Sequence, residues 1–142
     1  RSNAHAACHV VDILPTILEV TGASYQNEVD DHEIQPMQGE SLLGLLRGKD
    51  WEREQPIFWE HEGNAAVRLG QFKLVRQHNL DWELYDMEVD RTELHNLIGK
   101  NPKLEAEMAK QYFDWADKIG VMDWEQALPK LLAAWDMETV NG

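Results

Sequence analysis

The sequence predicts an α+β fold: a four-stranded antiparallel sheet packed against a C-terminal helix, with N-terminal helices. Three observations predict it. Across residues 55–87 apolar side chains recur with period two, in short runs separated by turn residues. After Asn101-Pro102 the period becomes helical, with Leu104, Met108, Tyr112, Trp115 and Ile119 on one stripe. Before Gln55, two apolar stretches at helical spacing each run into a glycine.

Taken in order, Ser2-Asn3-Ala4 reads as the remnant of an excised expression tag, which sets residues 1–4 apart from the fold. Residues 5–54 form a helical segment and loop. Val10, Ile13, Leu14, Ile17 and Leu18 carry helical spacing; Asp12 is the expected N-cap, which puts Pro15 in the first turn, and Gly22 ends the helix. Residues 23–38 are polar, contain Pro36 and read as a loop whose acidic run is solvated. Residues 41–46 form a short apolar helix that Gly48 closes.

The strands follow. Ile57, Trp59 and His61 fall on one face, Phe58, Glu60 and Glu62 on the other. Gly63-Asn64 supplies the turn, with Asn64 the residue suited to positive φ. Ala65, Val67 and Leu69 alternate against Ala66 and Arg68, and Arg68 is expected to pair with Glu60 or Glu62 across strands. After Gly70-Gln71, Phe72 and Leu74 alternate against Lys73 and Val75. After His78-Asn79, Trp82 and Leu84 alternate against Glu83 and Tyr85. Such a meander needs one covered face, which the helix at 102–119 provides. Asp90-Arg91-Thr92-Glu93 resembles a capping box opening a turn at 94–97. Sheet and helix together occupy 55–124. Residues 125–142 are a partly helical tail, with Leu128, Leu131, Leu132 and Trp135 at amphipathic spacing and Pro129 near its start.

A chain of 142 residues is long enough for a modest core, and 43% hydrophobic residues with six tryptophans argue against disorder. No apolar run approaches the roughly 20 residues of a membrane span, so no membrane is expected as partner. With 26 acidic against 13 basic residues the formal charge is −13, and no Lys/Arg cluster offers a nucleic-acid surface. One cysteine, Cys8, excludes an internal disulfide. Strand alternation sends Glu60 and Glu62 to the face opposite His61, so no metal site is expected there.

Four ordered segments resemble sulfatases of the alkaline phosphatase-like superfamily. Residues 9–19 resemble the family's HVVDIxPTxLE helix, and Gly39-Glu40-Ser41-Leu42-Leu43 its GxSLLPLL turn with Gly44 in place of proline. Residues 59–75 resemble WEHEGNxAVRxGxWKLV, and Trp82-Glu83-Leu84-Tyr85-Asp86 with Asp90, Thr92-Glu93 and Asn96-Leu97 resemble WELYDLxxDxTExxNLA. Val121-Met122-Asp123-Trp124 stands where the family has GVLPWP. These lie in the C-terminal subdomain of arylsulfatases.

The resemblance implies a C-terminal fragment of an arylsulfatase, a sulfuric ester hydrolase, that lines the parent's substrate cleft. It also implies formylglycine and calcium in the parent, a sulfated small molecule or glycan as its substrate, an N-terminal catalytic domain as this chain's partner, and a periplasmic or secreted location. The chain itself matches none of that machinery: Cys8 is followed by His9-Val10-Val11-Asp12 rather than Cys/Ser-x-Pro-x-Arg, and Asp30-Asp31 stands out of family order. No cofactor and no catalytic residue is therefore expected in it, and the fragment alone is expected to be inactive. His61 and Asn64, at the first hairpin, are the candidate substrate-contacting rim residues. The competing reading has His61 hydrogen-bonding across the sheet and Gly63-Asn64 serving the turn alone. Two other functions stay open: an autonomous protein-interaction module, and the equivalent subdomain of a phosphodiester or phosphonate hydrolase. The apolar first helix, cut from a larger domain, predicts self-association or domain swapping.

Overall fold

His9 starts the first helical element by a reciprocal cap. Its ring accepts the Val11 N–H, and the Asp12 carboxylate accepts the His9 N–H at 2.7 Å. A computed structural model of the chain describes residues 6–140, with side chains as far as Trp135; the tag-like residues 1–4 lie outside the described residues. A 3-10 turn at Val10–Asp12 leads into α1 (Ile13–Thr21), which Gly22 ends at φ 72°. The chain divides after Ile57 into two compact units.

In the N-terminal unit Asp12 occupies the N-cap position of α1 but does not cap it. Its fully buried carboxylate forms an ion pair with Arg53 and accepts the Glu40 N–H at 3.0 Å. Burial alone would raise its pKa; the Arg53 guanidinium and the N–H groups of Glu40 and His9 outweigh that and hold it below the usual carboxylate value. Gly39, at φ 90°, passes so close to the Val11 carbonyl that no Cβ fits there. The short helix α2 (Leu43–Leu46) follows, with Leu43 buried.

Residues 23–38 are more ordered than a loop. They contain a small hairpin, β1 (Glu28–Val29) paired with β2 (His32–Glu33). Asp30 and Asp31 turn it at φ 51° and 64°, a backbone that aspartate tolerates. Two exposed residues per strand leave no alternation for a sequence pattern to show.

The C-terminal unit carries the meander. Its strands β3 (Ile57–His61), β4 (Asn64–Leu69), β5 (Phe72–Arg76) and β6 (Glu83–Asp86) form one antiparallel sheet in the order β3-β4-β5-β6. Register places Val67 opposite Leu74 and Leu74 opposite Leu84, so three fully buried side chains form a row across the sheet. The helix α3 (Pro102–Ile119) lays Met108 and Tyr112 over that row. Asn101 caps it by accepting the Leu104 N–H, Pro102 fills the first turn, and Gly120 stops it at φ 74°. On β3 the Phe58 face turns to the helix, where its ring stacks on Trp115 with centroids 5.0 Å apart.

Two local expectations need correction. Asp90 accepts the N–H groups of Leu94 (2.9 Å) and His95 (2.8 Å), but Glu93 does not return to complete a capping box. It reaches instead to Lys73 at 2.6 Å, because at φ 57° its backbone has left the helical path. Arg68 pairs with neither Glu60 nor Glu62; its Nε donates to the Gly70 carbonyl at 3.2 Å. The free edge of β6 is covered: the Leu84 N–H donates to Asn96 Oδ1 and its carbonyl accepts the Leu97 N–H. Finally α4 (Trp124–Val140) continues through Pro129. No helix among the described residues is long and apolar enough to cross a membrane.

Candidate functional site

The β3–β4 connection is a two-residue turn, and the residues at positive φ are Glu62 (54°) and Gly63 (82°) rather than Asn64. Positive φ at both central positions matches the right-handed twist of the flanking strands. Asn64 instead begins β4 and fastens the tip. Its Nδ2 donates to the His61 carbonyl at 2.7 Å, and its Oδ1 accepts the His78 N–H at 3.1 Å. Glu60 Oε1 accepts the Gly63 N–H at 2.9 Å from inside the turn. Gly63 is required twice, since a Cβ there would stand 2.5 Å from His78 Nδ1 and 3.0 Å from Trp124 Cβ.

His78 links this tip to the last helix. Its Nε2 lies 3.1 Å from Glu125 Oε1 and 2.9 Å from Asn79 Nδ2. Asp123 accepts the Glu125 N–H at 3.0 Å at the start of α4. Hydrogen bonds from the Glu125 side chain and backbone, with His78 nearby, hold the Asp123 carboxyl below its usual value.

A cleft of about 390 Å³ opens beside the tip, within the size range of small-ligand sites. Glu60, Arg76, His78, Asn79, Phe113 and Trp124 are among its lining residues. Arg76 ends β5 on the helix-covered face, in the alternation of Phe72 and Leu74. Its guanidinium carbon lies 4.8 Å from the Trp82 ring centre and 5.7 Å from that of Phe113. Tyr112, also in the wall, has its hydroxyl pKa raised by burial and by the Glu60 charge, with Arg76 opposing.

Of the two residues singled out in the sequence, Asn64 holds the rim with both polar ends of its side chain engaged. His61 lies on the other face of β3, outside the cleft lining, with its ring 81% exposed and 3.9 Å from the Glu62 carboxylate. Sequence reasoning missed Arg76, His78 and Trp124 as a group. One signal was available for Arg76: a cation at a strand position whose neighbours by alternation are Phe72 and Leu74.

Comparison with known proteins gives a consistent result. Residues 1–118 match the family described as "N-sulphoglucosamine sulphohydrolase, C-terminal". The chain is 31% identical to an uncharacterized sulfatase of Schizosaccharomyces pombe, over 80% of this chain and 22% of that protein. It is 29% identical to the N-acetylglucosamine-6-O-sulfatase of Bacteroides thetaiotaomicron, over 78% of this chain and 20% of that protein. The crystal structure of Ps i-CgsB in complex with k-i-k-neocarrahexaose superposes with a TM-score of 0.60 at 22% identity, covering 75% of this chain and 24% of that one. At that identity the likeness shows the fold alone. The chain spans about a fifth of the length of the curated relatives it matches.

Proposed function

The chain belongs to the sulfatase C-terminal domain family, and on that premise we propose that it forms one wall of the substrate cleft of a larger sulfuric ester hydrolase. The observation that carries the reading is the fastened β3–β4 tip. A turn pinned by Glu60 and Asn64 and backed by His78 holds the backbone of His61 at the hairpin tip. It leaves the imidazole exposed there, on the face of β3 opposite the cleft beside the tip. Rigid rims carrying a few polar groups are how loops set substrate choice. His61 would meet the organic part of the substrate, and Asn64 would keep His61 in place.

The parent's calcium and formylglycine belong to the proposal as well. When present, they supply a Lewis acid and a hydrated-aldehyde nucleophile. The described residues of this chain do not fit either group. Cys8 donates to the Ala6 carbonyl and has no Pro-x-Arg after it. Asp30 and Asp31 sit at an exposed hairpin turn, and among the described residues no group of three or more His, Cys, Asp or Glu is placed to hold an ion. No catalytic step is therefore assigned to this chain, and it is expected to be inert by itself. The name of the N-acetylglucosamine-6-O-sulfatase relative favours a sulfated saccharide over a simple aryl sulfate.

The test is His61→Ala in the full-length enzyme, assayed on its natural sulfate ester. Loss of one hydrogen bond to the organic part of the substrate predicts a rise in KM of up to about tenfold with kcat little changed. Unchanged kinetics would remove His61 from the site.

A further inference from the structure

The cleft holds a cation that the fold leaves without an anion. Lys73, on the same strand, is neutralised by Glu93 at 2.6 Å. Among the described residues, Arg76 makes neither hydrogen bond nor ion pair, and its Nε is buried with no acceptor. Trp82 and Phe113, whose rings stand at 85° to each other, hold the guanidinium by its charge and accept none of its N–H donors. Buried donors without acceptors are rare enough to require an explanation.

The carboxylates around it do not supply the missing acceptor. Glu60 spends Oε1 on the Gly63 N–H, Glu125 faces His78, and Asp123 caps α4. Each accepts from a group other than Arg76, so among the charged groups of the cleft wall Arg76 is the one whose buried donor has no acceptor. The remaining wall includes Trp124, Leu80 and Met122, apolar surface of the kind that packs against a sugar ring.

We propose that this cleft is a subsite for an acidic sugar unit, in which the Arg76 fork grips a carboxylate or sulfate substituent while the pyranose ring lies against Trp124. Planar, bidentate recognition of an oxyanion is what a guanidinium does best. The subsite rests on the sulfatase reading for the polymer to which the sugar belongs, and on Arg76 for the anion grip.

The experiment titrates the 142-residue chain with methyl glucuronide, a sulfated methyl glucoside, neutral methyl glucoside and inorganic sulfate. The indole N–H resonances of Trp124 and Trp82 report binding. Both anionic glycosides are expected to bind at least about tenfold more tightly than the neutral one, the value of one charge-assisted contact; one anionic glycoside alone doing so identifies its group as the one gripped. Arg76→Met is expected to abolish that preference. Arg76→Lys, which keeps the charge but not the fork, is expected to lose most of it and guards against a folding defect in the first variant. No preference for either anionic glycoside, a preference that survives both variants, or inorganic sulfate binding as tightly as the sulfated glucoside would each overturn the proposal. Turnover of a sulfate ester by the full-length enzyme tests the sulfatase reading separately. Turnover without binding here removes the subsite alone, and binding here without turnover removes the sulfatase reading alone.

Discussion

Asn64 accepts the His78 N–H at 3.1 Å, so the tip of the β3–β4 hairpin and the turn following β5 form one fastened rim. The other end of the same side chain closes its own hairpin on the His61 carbonyl. Asn64→Ala loses both bonds at a partly wet site and is expected to cost about 1–2 kcal/mol, read from the urea midpoint. Asn64→Asp keeps the acceptor toward His78 and is expected to lose about half as much. Equal losses in the two variants would mean that the His78 bond contributes nothing.

Gly63 and Gly70 both have positive φ, yet they predict different outcomes. At Gly70 (55°) an added Cβ meets nothing within 4 Å, so Gly70→Ala bears backbone strain alone, about 1 kcal/mol. At Gly63 (82°) the Cβ also collides with the His78 ring and the Trp124 Cβ. Gly63→Ala is therefore expected to cost at least about 3 kcal/mol and to displace His78 and Trp124 together. Thermal melts compare the costs, and a shifted Trp124 indole resonance reports the displacement.

Wherever burial follows local periodicity, the fold was legible. Val67, Leu74 and Leu84 alternate with more polar neighbours, and Met108 and Tyr112 repeat at helical spacing, so sheet, helix and their contact follow from pattern. The site was less legible, because its members come from separate stretches. Glu60, Arg76, His78 and Trp124 meet through hairpin register and the position of α4, and no local period encodes either. Asp12 shows the same limit: it reads as a cap, and only a partner 41 positions away turns it into a buried clasp.

That clasp has a pH signature. Asp12 has a lower pKa in the folded chain than its unfolded value of about 3.9, so its contribution is complete above that value and is lost as pH falls through the folded one. Asp12→Asn leaves the buried Arg53 with only the Glu40 carboxylate, 3.7 Å away, and is expected to cost about 2–3 kcal/mol at neutral pH. The variant's stability should then vary less with pH below about 4 than the parent's. The indole resonance of Trp51, whose ring lies 5.9 Å from the Arg53 guanidinium, follows the unfolding of this unit. An acid limb of the same slope in both proteins would show that Asp12 does not carry it.

The apolar face that runs from the 3-10 turn into α1 makes the last expectation. Val10, Ile13, Ile17 and Val20 are 69%, 54%, 52% and 61% exposed, and their spacing puts them on one stripe. A contiguous apolar stripe left in water is an association surface. In the parent enzyme the rest of the protein would cover it; alone, the chain is expected to cover it with a second copy. Sedimentation velocity should show the weight-average mass rising with concentration. Ile17→Glu places a charge in the middle of the stripe without touching the buried Asp12 clasp, and should return the chain to a monomer with helix content unchanged. A monomeric parent chain at millimolar concentration, or association that persists in Ile17→Glu, would exclude α1 as the contact.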